Sequence, residues 1–147
     1  MRGICSIARS QDPNSANSQF FIVFDDATFL DRKYTVWGQV IEGFMAQSGD
    51  PTGTGMGGSD KPDVQAEFNK ESFTRGAVGA ARSSDPNTFN SQFFICFADC
   101  TFLDGQYTVF GRVREGMELV DNIKKGDPQT GMMDSPDAIV SARIEYR

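Results

Sequence analysis

With 147 residues, 39% of them hydrophobic, the chain can bury the sizeable core of one compact domain, so residues 1–147 are read as a single unit. A net charge of −6 excludes the basic face that a phosphate backbone requires, so no nucleic acid is expected and a peptide partner should be neutral or basic. No apolar run approaches the roughly 20 residues that span a bilayer and nothing near Met1 reads as a targeting segment, so a cytoplasmic protein without membrane association, or a fragment stripped of its targeting segment, is expected.

The sequence contains no histidine, which excludes Ser/His/Asp and Cys/His nucleophilic systems. Cys5, Cys96 and Cys100 lack zinc spacing and read as reduced, partly buried apolar residues, so neither a metal nor a cofactor is expected.

In chain order, Ile4 to Ala8 is apolar and strand-sized, and Ser10 to Ser18 is a run of turn formers that predicts a surface loop. Gln19 to Phe24 and Tyr34 to Ile41 predict two further strands. Phe44 to Thr74 has a different character. Its glycines at Gly53 to Ser59 lack a Gly-Lys-Ser/Thr ending and no helical pattern follows, so an exposed loop is expected there and not a phosphate cradle. Strands are predicted again at Gly76 to Ala81, Gln92 to Phe97 and Tyr107 to Arg114. A helix is predicted over Met117 to Lys124, ended by Gly126 and capping one barrel opening. A turn-rich stretch, Asp127 to Asp137, and a last strand, Ala138 to Tyr146, close the chain.

The recurrence of strands reflects a repeat. At an offset of about 73 residues, 2–43 and 75–116 agree at roughly 27 of 42 positions, including Ser-Gln-Phe-Phe-Ile and Thr-Phe-Leu-Asp in both copies. Short strands with no long helix between them predict a mainly β protein, an antiparallel sheet or barrel built from an internal duplication. Neighbours on a strand face opposite ways, so only one member of each Phe-Phe pair can reach a surface groove; Phe20, Phe24, Phe93 and Phe97 are assigned to the core.

Several segments together, Phe44-Met45-Ala46-Gln47, Gly49-Asp50-Pro51-Thr52-Gly53-Thr54-Gly55, Ala66-Glu67-Phe68-Asn69, Ala81-Arg82-Ser83, Asn90-Ser91-Gln92-Phe93-Phe94-Ile95 and Phe102-Leu103-Asp104-Gly105, resemble the cyclophilin family of peptidyl-prolyl cis-trans isomerases in its bacterial form. The resemblance is continuous from about Val40 to Arg147. It implies a cyclophilin-like antiparallel barrel with a shallow groove for proline-containing peptides or unfolded proteins, and a cyclosporin-type ligand for the same groove. By resemblance, the catalytic residues are Phe44, Gln47 and Gln92, and Met45, Phe94, Phe102, Leu103, Tyr107 and Arg82 bind the substrate.

The chain departs from the family in its first part. The family's N-terminal half is replaced by a second copy of the C-terminal block, and Trp37-Gly38-Gln39-Val40-Ile41-Glu42-Gly43 resembles the family's Phe-His-Arg-Val-Ile-x-Gly strand. Two related genes recombined at that strand would give this arrangement. The family's essential arginine then falls on Gln39. That arginine donates to the proline nitrogen as the twisted amide becomes pyramidal, and its loss predicts a slowing of order 10²–10³. Arg82, Arg9 and Arg112 are the candidate substitutes. The first copy supplies second-copy candidates for the groove in Gln19, Phe21, Phe29, Leu30 and Tyr34. A barrel that fails to close within one chain predicts segment exchange and a homodimer. Three functions stay open: a weakened isomerase, a proline-peptide binding module without catalysis, and a folded recombination product with no activity.

Overall fold

The computed structural model describes residues 4–7, 20–23, 35–36, 39–41, 44–127 and 137–139. The expected loop at Ser10 to Ser18, and most of the stretches expected over Asp127 to Asp137 and Ala138 to Tyr146, lie outside them.

The described strands are β1 (Ile4–Ile7), β2 (Phe20–Val23), β3 (Thr35–Val36), β4 (Gln39–Ile41), β5 (Met45–Ser48), β6 (Ala77–Ala80), β7 (Phe93–Cys96), β8 (Val109–Glu115) and β9 (Ala138–Ile139), with a 3-10 turn at Thr101–Leu103 and helix α1 at Met117–Val120. Seven strands make one sheet in the order β2-β1-β8-β6-β7-β5-β4, while β3 and β9 pair separately. The result is mainly antiparallel β structure, with one α-helix among the described residues.

Hairpin geometry is shared by the two copies. In β6–β7, Val78, Gly79 and Ala80 face Ile95, Phe94 and Phe93. In β1–β2, Cys5, Ser6 and Ile7 face Ile22, Phe21 and Phe20, the residues at the equivalent positions. The surroundings of the hairpins differ. β8 runs antiparallel to β6 with Ala77 opposite Arg112, and parallel to β1 with Ile4 opposite the same Arg112. A wholly antiparallel sheet is therefore not what forms. β1 and β8 are joined by most of the chain and not by a tight turn, so no hairpin constrains their relative direction.

The expected strand Tyr34 to Ile41 divides between the two sheets, β3 pairing with β9 and β4 with β5. Its counterpart in the second copy, β8, is one continuous strand.

β6 and β7 are apolar throughout and buried at every position, as expected for strands covered on both faces. Their alternation separates two cores. Phe93, Ile95 and Phe97 join Ala46, Val78, Val120 and Ile139 on one face, with Met117 and Ile123 packed against them. Phe94 and Cys96 turn the other way and join Met45, Phe73, Ala77, Cys100, Leu103 and Val109.

Helix α1 is shorter than the Met117 to Lys124 expected, and Gly126 does not end it. Beyond Val120 the chain tightens, Asn122 and Ile123 donating their N–H groups to the carbonyls of Leu119 and Val120. The next N–H, that of Lys124, donates to the Asp137 carboxylate at 2.9 Å, which withdraws it from the helical pattern. α1 packs its Val120 into the first core.

Candidate functional site

The groove residues are gathered by three elements. β5 contributes Met45 and Gln47, whose side chains share the face of the second core because they lie two residues apart on a strand. In the β5–β7 ladder Gln47 stands opposite Phe94 and Met45 opposite Cys96. Gly49 permits the close approach of the chain before β7. It has φ of 104°, and a Cβ there would collide with the Ser91 carbonyl oxygen and lie 2.7 Å from Gln92 Cα. Ser91 Oγ also donates to the Gly49 carbonyl at 2.6 Å. These contacts bring Gln92 beside Gln47.

The 3-10 turn sends Phe102 and Leu103 in opposite directions. Leu103 is 9% exposed and belongs to the second core, while Phe102 is 59% exposed and meets Phe44 edge to face at 5.2 Å. Asp104 holds this turn in place by accepting from Ser72 Oγ at 2.6 Å and the Phe73 N–H at 2.8 Å, bonds that lower its pKa. Phe44 is fixed by its carbonyl, which accepts from the Phe97 N–H at 2.8 Å.

Beneath the groove, Phe94 is 2% exposed, stacks on Phe73 at 5.4 Å and takes the edge of Tyr107 at 5.7 Å. Both phenylalanine rings lie against Gly79, where a Cβ would run into Phe94 and sit 2.6 Å from Phe73. Phe94 is thus a floor with little of its own surface open. Phe73, which stacks on Phe94 above Gly79, carries no motif in the sequence.

The polar edge is a directed chain. Gln92 Nε2 donates to the carbonyls of Gly57 at 2.7 Å and Gly55 at 3.2 Å, and Gln92 Oε1 accepts from Gln47 Nε2 at 2.7 Å. Gln39 is opposite Gln47 in the β4–β5 register.

Arginine placement bears on the expectation that Gln39 leaves the site without a cation. The Arg82 guanidinium lies 4.4 Å from the centre of the Tyr107 ring, and donates to the Gln106 carbonyl at 2.8 Å and the Ser83 carbonyl at 2.9 Å. Arg112 donates to Thr74 Oγ1 at 2.7 Å and the Ser72 carbonyl at 2.8 Å, and pairs with Glu71. Its partners belong to the segment before β6. Arg9 lies outside the described residues, as do Gln19, Phe29, Leu30 and Tyr34. Phe21, in β2, is at the opposite end of the sheet order from β5.

Cys96 and Cys100 are free and fully buried, more so than expected, and burial raises both thiol pKa values. Among the described residues no cluster of three or more His, Cys, Asp or Glu is placed to hold a metal ion. No helix among them is long and apolar enough to cross a membrane. A separate groove of about 620 Å³ runs between residues 67–71 and β8 and shares no lining residue with the site above.

A directed glutamine pair thus lies beside a cluster of Phe44, Met45, Phe94, Leu103 and Tyr107. The family model described as cyclophilin type peptidyl-prolyl cis-trans isomerase/CLD matches residues 1–44 and again 39–144. The chain belongs to the cyclophilin-type peptidyl-prolyl cis-trans isomerase family. It is 52% identical over 119 residues to a probable peptidyl-prolyl cis-trans isomerase of Brucella abortus, a match covering 73% of this chain and 61% of that protein. A peptidyl-prolyl cis-trans isomerase of Arabidopsis thaliana is 38% identical over 136 residues, covering 90% of this chain and 81% of the relative. Among solved structures, a Cryptosporidium parvum cyclophilin type isomerase, crystallised in the presence of the dipeptide Ala-Pro, superposes with a TM-score of 0.59 at 32% identity, covering 76% of this chain and 77% of that one. A cyclophilin from Hirschia baltica superposes with a TM-score of 0.64 at 25% identity, covering 74% and 58%. The chain spans 61% of the length of the Brucella relatives.

Proposed function

We propose that the chain is a peptidyl-prolyl cis-trans isomerase acting on proline-containing peptides or unfolded proteins, and that Gln39 weakens it. The observation that carries this is the Gln47–Gln92 pair at 2.7 Å beside the apolar cluster of Phe44, Met45, Phe94, Leu103 and Tyr107. Rotation about an X-Pro bond faces a barrier of about 18–20 kcal/mol and breaks no covalent bond. An apolar floor for the pyrrolidine ring and fixed amides for the flanking carbonyl meet most of its needs. Phe102 and Arg82 flank this floor, and a cyclosporin-type ligand would compete for it.

A second reading, binding without catalysis, is favoured by one observation. Arg82 is the arginine beside the groove among the described residues, and its guanidinium already serves the Gln106 and Ser83 carbonyls. Exchange spectroscopy of a short Ala-Pro peptide, with and without the chain, separates the two readings. Acceleration by the parent supports the isomerase, and acceleration only by Gln39→Arg supports the binding module. No acceleration by either would sink the isomerase, and no binding of the peptide by the parent would sink the binding module as well.

We further propose that residues 1–147 form one domain made by internal duplication. The shared hairpin registers support this, as does the overlap of the two family matches at 39–44. With β2 and β4 at the ends of the described sheet, barrel closure by segment exchange between two chains is the assembly we favour. Sedimentation that stays monomeric over a wide concentration range would overturn it.

A further inference from the structure

The loop over residues 50–57 is organised around one buried carboxylate. Asp50 is 3% exposed. Its Oδ1 accepts from the Thr52 N–H and Thr52 Oγ1, both at 2.7 Å. Its Oδ2 accepts from the N–H groups of Thr54 and Gly57 and from Thr54 Oγ1, all at 3.0 Å. Three backbone N–H groups of one short loop thus converge on one side chain. Gly57 is part of this fit, since a Cβ there would collide with Asp50 Oδ1 and lie 2.6 Å from Thr52 Oγ1.

The loop's carbonyls then determine the polarity of the groove edge. Gly55 and Gly57 present carbonyl oxygens to the Gln92 side chain. A carbonyl only accepts, so the group that meets both must be the Gln92 amide NH₂, and Oε1 of Gln92 must face Gln47. An oxygen in turn calls for a donor, so Gln47 meets it with Nε2. Gln47 Oε1 and the second Nε2 proton take no part in this chain of bonds. Each orientation follows from the one before it, and the first is set by the loop.

We propose that Asp50 is a positioning residue: by gathering the N–H groups of its loop it turns two carbonyls on to Gln92, and so fixes which end of Gln47 meets the substrate. It touches no substrate itself. The consequence for rate rests on the isomerase reading, whereas the consequence for the glutamine amides does not.

The test uses the full chain, ¹⁵N-labelled, as parent, Asp50→Ala and Gly57→Ala. In both variants the Gln92 side-chain amide should exchange with water about tenfold faster and the Gln47 amide resonance should move with it, while the Phe73 and Phe94 ring signals stay in place. Where the parent accelerates Ala-Pro exchange, kcat/KM should fall about tenfold alongside. Gln92 and Gln47 amides that stay unchanged in a folded variant overturn the proposal, whatever the rate does. An inactive parent sinks the isomerase reading and leaves the amide comparison to decide this one. Should Asp50→Ala lose the ring signals, Thr54→Val removes a single hydroxyl donor, and the same amide changes are expected about two- to threefold.

Discussion

Gln47 donates its side-chain amide to the side-chain carbonyl of Gln92 at 2.7 Å, which joins β5 to the residue that precedes β7. Neither amide is independent of the other. Gln47→Ala and Gln92→Ala are therefore expected to lower kcat/KM for an Ala-Pro peptide about tenfold each, and the double variant by little more than either alone. Exchange spectroscopy on the three variants checks this. Fully multiplicative losses would mean that the two amides act separately.

Phe94 and Phe102 should separate stability from binding. Phe94 is 2% exposed and stacked on Phe73, so Phe94→Ala is expected to cost about 3–5 kcal/mol. Phe102 is 59% exposed, and Phe102→Ala should cost under about 1 kcal/mol while weakening peptide binding. Urea titrations of both variants, with peptide titrations of the second, provide the comparison. Equal losses of stability would contradict the burial pattern.

Gly79 supports two rings that leave no room for a methyl group. Gly79→Ala is expected to destabilise the chain by about 1–3 kcal/mol through displacement of Phe94 and Phe73. Ring-current shifts of the two phenylalanines should report the displacement. A variant of parental stability would show that the sheet yields at this point more easily than its packing suggests.

Acid should act through Asp50. Burial by itself pushes its carboxyl up, but the bonds from Thr52, Gly57 and Thr54 outweigh that and hold the group well below its ordinary 3.8. A carboxyl depressed on folding stabilises the folded chain above its unfolded pKa, and that contribution is lost as the pH falls toward the folded value. Between about pH 5 and pH 2 the parent should lose more stability than Asp50→Asn, read as urea midpoints at each pH. Parallel loss in both would place the acid sensitivity elsewhere.

Arg82→Ala tests whether the nearby cation replaces the family arginine. Its guanidinium covers Tyr107 and serves two carbonyls, so the expected loss in rate is no more than about threefold. A fall of order 10² would instead identify Arg82 as the donor to the proline nitrogen.

The strand pattern was legible because it rests on local chemistry. Phe93 and Phe97 were assigned inward by alternation, and they pack in the first core. Phe44, Met45, Phe94, Leu103 and Tyr107 were grouped from motifs scattered along the chain, and they meet around the second core. What could not be read depends on distant partners. Asp137 decides where the helical turn after Val120 stops, from 13 residues further on than Lys124, whose N–H it accepts. Phe73 carries no motif of its own and gains its place only when β6 brings Gly79 beneath it. Asp50 did leave a signal in the spacing Asp-x-Thr-x-Thr, the pattern of a side chain that collects nearby N–H groups.

The two copies also show how far likeness of sequence extends to likeness of place. Thr35–Val36 and Gln39–Ile41 go to different sheets, whereas the equivalent Val109–Glu115 remains one strand between β6 and β1. Nearly the same residues are therefore an interior rib in one half and two short border pieces in the other. The strands that flank each stretch differ between the two halves. Exchanging Gln39 and Arg112 between the halves would consequently move a charge between two unlike neighbourhoods, and not between two equivalent ones.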